Sequence, residues 1–163
     1  MLPPTPPADL FIALIDEIQR MRGRLKTATA AFVDPDGPTG LAGTVLAAVV
    51  GAASPPTVPQ IGRSLGYPRQ TVQRQADELI ARGLIVGVDN PDHKRARRLL
   101  PTQAGQAQQD RAHAASLVWA AQLMDGIDSA QLSGAVDTLR AIRARIEADA
   151  RRDHAPFTDD NED

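Results

Sequence analysis

The stretch from Thr57 to Arg98 constrains this chain more than any other. Thr57-Val58-Pro59-Gln60 reads as a helix start. A threonine is placed to cap, a glutamine three residues on can reach back to it, and a proline sits in the first turn, where its missing N–H is tolerated. Val58, Ile61 and Leu65 give this short helix an inner face. Gly66 ends it, because glycine accepts the left-handed conformation a helix terminus often needs. Pro68 starts the next helix with its φ already set, and the pattern runs on to Gly83. Within it Val72, Ala76, Leu79 and Ile80 form an apolar stripe, while the opposite side of the first two turns carries Arg69, Gln70, Gln73 and Arg74. Beyond Gly83, Leu84 to Val88 reads as a strand, Asp89 to Lys94 as a loop, and Arg95 to Leu100 as a return strand. Helix, turn, helix, strand, basic loop and strand together predict a helix-turn-helix with a wing.

The flanks are helical. Leu10, Phe11, Leu14, Ile15, Ile18, Met21 and Leu25 recur at helical spacing from Ala8 to about Phe32, and Asp34-Pro35-Asp36-Gly37-Pro38 makes a turn. A second helix opens at Thr39 or Gly40, runs through Leu41, Val45, Leu46, Val49 and Val50, and is stopped by Pro55-Pro56. After the wing, Thr102 is placed to cap a long helix from Gln103 to Met124, with Ala107, Ala114, Leu117, Val118, Ala121 and Met124 as its apolar line. Gly126 breaks it. Asp128 or Ser129 then caps a last helix carrying Leu132, Val136, Leu139, Ile142 and Ile146.

The expected fold is mainly α with a small β-wing: a winged helix-turn-helix flanked by N- and C-terminal dimerisation helices. Its divisions are a flexible proline-rich arm over 1–7, an N-terminal dimerisation helix over 8–37, a winged lobe over 38–101, C-terminal dimerisation helices over 102–150, and a disordered acidic tail over 151–163. The end helices carry more apolar surface than a winged lobe of about sixty residues can cover, so packing about a twofold axis is the economical solution.

Charge is distributed unevenly. The chain as a whole has a net charge of −2, yet Thr57 to Arg98 holds eight arginines and lysines against four carboxylates. A local basic footprint on an acidic body suits a nucleic-acid partner. With no cysteine, disulfides, thiolate metal sites and thiol redox sensing are excluded. The N-terminus lacks the basic start and apolar run of a signal peptide, and no apolar run is long enough to span a bilayer, which points to the cytoplasm and no membrane partner.

Arginine can chelate guanine and glutamine can chelate adenine on the floor of the DNA major groove. The candidate base-reading side chains are therefore Arg69, Gln70, Gln73 and Arg74. Lys94 and Arg95 at the loop tip suit the minor groove and backbone. In a regular return strand Arg97 and Arg98 point to opposite faces, so at most one looks at DNA directly; Arg97 joins the candidate set. Arg82, late in the helix, suits the helix dipole instead.

Other motifs carry less. Gly62-Arg63-Ser64-Leu65-Gly66 matches the serine-hydrolase elbow in letters, but that elbow needs a preceding strand and a large sheet beneath it, so no enzyme activity is expected. His93, His113 and His154 lack metal-ligand spacing, and no cofactor or metal is expected. Trp119 and His113 share a helix without defining a pocket.

Thr57-Val58 through Ile61, Leu65-Gly66, Thr71-Val72, Arg74, Leu79, Gly83-Leu84-Ile85, Asn90-Pro91-Asp92, Lys94-Arg95-Ala96 and Thr102-Gln103-Ala104-Gly105 resemble, as a set, the multiple-antibiotic-resistance-regulator (MarR) family. The resemblance is close over about Leu41 to Gly105. It implies a homodimeric double-stranded DNA-binding transcription regulator, with one helix in the major groove and the wing in the minor groove. It often implies a small-molecule effector as well, for which a small aromatic acid is the class to test. By motif position, Thr71 and Arg74 match positions that usually touch DNA, Arg95 matches the wing-tip arginine and Lys94 its basic neighbour. His93 stands where the family often has an acidic residue, and Pro101 where a leucine is common. The competing reading is a winged helix that binds an acidic protein partner without sequence-specific DNA binding.

Overall fold

Val72, Ala76 and Leu79 are completely buried, and the rest of the winged lobe is assembled around them. The computed structural model describes residues 6–29, 37–91 and 96–152. Over these the order is α1 (Pro7–Thr29), α2 (Gly40–Val50), α3 (Val58–Leu65), α4 (Arg69–Ala81), β1 (Ile85–Val88), β2 (Arg98–Pro101), α5 (Gln103–Leu123) and α6 (Ser129–Arg152). The chain divides into two compact units, Met1–Trp119 and Ala120–Asp163.

In the first unit α2 supplies Ala42, Val45, Leu46 and Val49, α3 supplies Val58 and Ile61, and α4 supplies its central stripe. Ile85 and Leu99 close the core from the sheet. Each large aliphatic side chain buried this way contributes about 1.5–3 kcal/mol. The strands pair antiparallel, Ile85 opposite Pro101 and Val88 opposite Arg98.

The ends of the elements follow local chemistry. Gln60 Oε1 accepts from the Thr57 N–H at 2.7 Å and from its hydroxyl at 2.9 Å, in the arrangement of a capping box. Gly66 ends α3 at φ 71°. Thr102 Oγ1 accepts from the Gly105 N–H at 3.0 Å to cap α5.

Several boundaries and faces differ from expectation. Pro68 is the N-cap of α4, with φ −56° and ψ 143°, and its carbonyl accepts from the Thr71 and Val72 N–H groups. Ile80 is 42% exposed: at about 100° per residue it lies roughly 80° around the helix from Val72, off the stripe. The return strand begins at Arg98 and includes Pro101, an edge position where proline's missing N–H is harmless. The arm yields to helix one residue early, at Pro7, a first-turn position that suits proline. On α5 the buried residues are Gly105 and Gln108 rather than the alanine line, and Leu117 and Val118 are exposed. Gln108 is held by its amide oxygen, which accepts from Arg111.

Helix α1 buries none of its residues, and Leu10, Phe11, Ile15, Met21 and Leu25 are exposed along it. In the second unit, Gly126 turns the chain at φ 77°, and Asp128 rather than Ser129 caps α6, its Oδ1 accepting from the Ala130 N–H at 3.1 Å. Leu132, Val136, Leu139 and Ile146 lie exposed on α6, which continues to Arg152, past the expected limit at 150. The expected tail beyond it, residues 153–163, lies outside the described residues, as do 1–5 of the arm. No helix among the described residues is long and apolar enough to cross a membrane.

Candidate nucleic-acid interface

Burial of one face of α4 dictates what the other presents. Arg69, Gln70, Gln73 and Arg74 are all exposed, and Thr71 is half-buried at the edge of the stripe. A shallow groove of about 520 Å³ runs over Arg69, Gln70, Gln73, Arg74 and Asp77. Gln73 is not loose in that groove: its Nε2 donates to Asp77 Oδ1 at 2.8 Å. Farther along, Arg82 pairs with Glu78 at 3.6 Å across one turn, which takes it away from the base-reading face.

The wing is tied to the lobe at its base. Leu99 N–H donates to the Pro56 carbonyl at 2.8 Å, and Thr57 forms an isolated bridge with Arg98. The cap of α3 is thereby stitched to β2. Within the hairpin, Asn90 Nδ2 donates to the Ala96 carbonyl at 2.9 Å, and Arg98 Nε donates to Asn90 Oδ1 at 3.1 Å. Asn90 thus bridges both sides of the loop with its two amide atoms.

Because Arg97 precedes β2 rather than lying inside it, strand alternation does not govern the pair. The exposed Arg97 folds its guanidinium onto the Gly87 carbonyl, and Arg98 turns to Asn90. Gly87 makes room for this: a Cβ there would stand 3.3 Å from the Arg97 guanidinium carbon. Lys94 and Arg95, and with them Asp92 and His93, lie outside the described residues.

A second cleft, about 570 Å³, opens between α3, the start of α4 and the hairpin. Its lining includes Thr57, Gln60, Arg63, Arg69, Asn90 and Arg98. Arg63 and Arg98 are cationic contributors that sequence reasoning did not select. For Arg63 the signal was present, an arginine on the outer face of a capped helix. Arg98 was hidden by the strand-alternation argument.

Arg69 lines both clefts and so links them. The arrangement is a cationic and amide-bearing surface with no carboxylate among the described residues lining the second cleft. Such a surface can neutralise phosphates and present donors to base edges. Ser64 is an exposed residue of α3, and the element before α3 is the helix α2 rather than a strand, so the hydrolase-elbow letters do not correspond to that geometry. Among the described residues no cluster of three or more His, Cys, Asp or Glu is placed to hold a metal ion.

Known proteins resemble this chain in sequence and in fold. Residues 36–96 match the family model described as the MarR family. The uncharacterized protein Rv2011c of Mycobacterium tuberculosis is 30% identical over 142 residues, covering 87% of this chain and 98% of its own length. Among solved structures, CouR from Rhodococcus jostii RHA1, bound to p-coumaroyl-CoA, superposes with a TM-score of 0.69 at 23% identity, over 77% of this chain and 87% of that one. A mutant MarR from E. coli in complex with operator DNA gives a TM-score of 0.67 at 17% identity, over 85% of this chain and 99% of that one. At these identities the two structures speak for the fold.

Proposed function

The chain belongs to the MarR family of transcription regulators, and from that premise we propose that it binds a pseudo-palindromic DNA site as a homodimer and represses transcription there. The observation that carries the reading is the two-faced α4: Val72, Ala76 and Leu79 are fully buried, while Arg69, Gln70, Gln73 and Arg74 are exposed outside that stripe. In this reading α4 enters the major groove, where these four side chains, with Thr71, read base edges or hold phosphates. Lys94 and Arg95 grip the minor groove and backbone, and Arg97, anchored at Gly87, steadies the hairpin that presents them.

The dimer follows from apolar surface. Exposed Leu10, Phe11 and Ile15 on α1, and Leu132, Val136 and Leu139 on α6, are covered by the second copy. The residue ranges 8–37 and 102–150 act as dimerisation helices and 38–101 as the DNA-binding lobe. A small aromatic acid or its thioester is the effector class favoured by the p-coumaroyl-CoA bound to CouR, and its binding relieves repression. This is a non-enzymatic role carried out beside the genome, in the cytoplasm.

Binding-site selection from random duplexes tests the proposal. The expected product is a near-palindrome with half-sites about one helical turn apart. Recovery of no preferred sequence at physiological salt overturns it.

A further inference from the structure

Asp77 is the one carboxylate among the described residues lining the groove over α4, and a carboxylate beside a surface meant for DNA needs a reason. Electrostatically it opposes phosphate binding. Its geometry supplies the reason. Arg69, Gln73 and Asp77 follow one another at four-residue spacing and therefore form a ridge along one side of the helix. Asp77 Oδ1 accepts one proton of the Gln73 amide at 2.8 Å.

A free glutamine amide turns over readily and presents either its oxygen or its NH2 to a base. With Asp77 in place the two orientations are no longer equivalent. Turning the amide over would set Gln73 Oε1 against a carboxylate oxygen, acceptor against acceptor. The held orientation leaves one acceptor, Oε1, and one remaining N–H to meet a base edge. Adenine offers the complement in the major groove, the N6 amino group as donor and N7 as acceptor. Guanine offers two acceptors, O6 and N7. Reading guanine would require both protons of the Gln73 NH2, one of which Asp77 already holds.

We propose that Asp77 is a specificity-determining positioning residue, which fixes the Gln73 amide so that this position of the site is read as adenine and guanine is rejected. The inference rests on the DNA-binding reading of α4. It explains why an acidic side chain stands on a cationic surface: Asp77 lowers general affinity and sharpens choice of base.

The test is binding-site selection with the full-length chain and its Gln73→Ala, Asp77→Ala and Asp77→Asn variants. Each is also followed by thermal unfolding and by the salt dependence of binding to the selected duplex. The base pair whose preference disappears in Gln73→Ala identifies the position read. There the wild type is expected to favour adenine over guanine by about tenfold, within the range a bidentate contact supplies. Asp77→Ala should reduce that ratio to about two- or threefold while leaving the unfolding midpoint unchanged and raising affinity for unrelated duplexes. Asp77→Asn offers the Gln73 amide either an acceptor oxygen or a donor NH2, so both orientations are accommodated and the preference should fall much as in Asp77→Ala.

If Asp77→Ala keeps the full adenine preference, the positioning role is overturned. The same holds if Gln73→Ala loses no base preference, or if Asp77→Ala instead loses a cytosine at a neighbouring pair, since that marks Asp77 as a direct reader. If the wild type selects no sequence, what fails is the DNA-binding reading itself.

Discussion

Gly105, in the first turn of α5, lies flat against the carbonyl of Leu84. A Cβ built on it would stand 1.9 Å from that oxygen. The same carbonyl accepts from the Thr102 N–H at 3.0 Å, so the start of α5 is pressed onto the end of the α4–β1 connection, backbone to backbone. Neither partner is a side chain that can swing away. Gly105→Ala should therefore cost about 1–3 kcal/mol or more, as overpacking of a tight contact does. Urea or thermal unfolding of the full chain checks this, with Gly23→Ala as the control, because a Cβ there meets nothing within 4 Å.

Thr102 does three things at that junction. Its hydroxyl donates to the Gly83 carbonyl at 2.7 Å, lies within 3.2 Å of the Leu84 carbonyl and accepts from the Gly105 N–H at 3.0 Å. Thr102→Val keeps the shape and removes all of it. A loss of about 1–2 kcal/mol is expected, at the upper end for a helix cap, with Thr102→Ser restoring most of it in the same unfolding measurement.

Arg74 separates binding from folding. It is exposed on α4 and holds nothing in the core. Arg74→Ala should weaken operator binding by about 1–3 kcal/mol, roughly five- to 150-fold in Kd. The unfolding midpoint should stay within error. A duplex titration at fixed salt, run beside a melting curve, reads both, and unchanged affinity would remove Arg74 from the interface.

Salt dependence counts the phosphates. With about three or four cations per protomer on the backbone, the slope of log K against log salt should be on the order of −5 to −7 for a dimer. Substituting one backbone-contacting arginine in each protomer should flatten it by about two. A slope near zero would leave the acidic-protein alternative standing.

The exposed line on α6 gives a test of assembly. Leu139→Asp places a carboxylate on that face, where no described core residue depends on it. A charge forced into an apolar seam costs several kcal/mol, so the dimer should weaken by about a hundredfold or more. Sedimentation equilibrium should then show a monomer, and operator affinity should fall with it.

Much of this was legible in the sequence, because it depends on neighbours a few residues apart. The Thr57–Gln60 cap, the left-handed Gly66 and the face of α4 that carries Arg69, Gln70, Gln73 and Arg74 all follow from spacing and from the steric rules of single residues. The charge asymmetry between the winged stretch and the rest of the chain likewise needs no coordinates.

What only the tertiary structure decided involves contacts between distant residues, or competition among partners for one side chain. Ile80 fits a helical pattern, yet it lies around the helix from the line of Val72, Ala76 and Leu79 and stays 42% exposed. Arg97 and Arg98 take separate partners because the strand begins at Arg98, three residues later than the expected Arg95, and leaves Arg97 outside it. Asn90, silent as a letter in a loop, joins both arms of the hairpin. Gln73 looks free until its neighbour four residues on claims one proton of its amide. Periodicity records which face of an element is apolar, but a polar side chain has many rotamers and several partners of similar energy. The folded chain chooses among them by bringing one within hydrogen-bond distance.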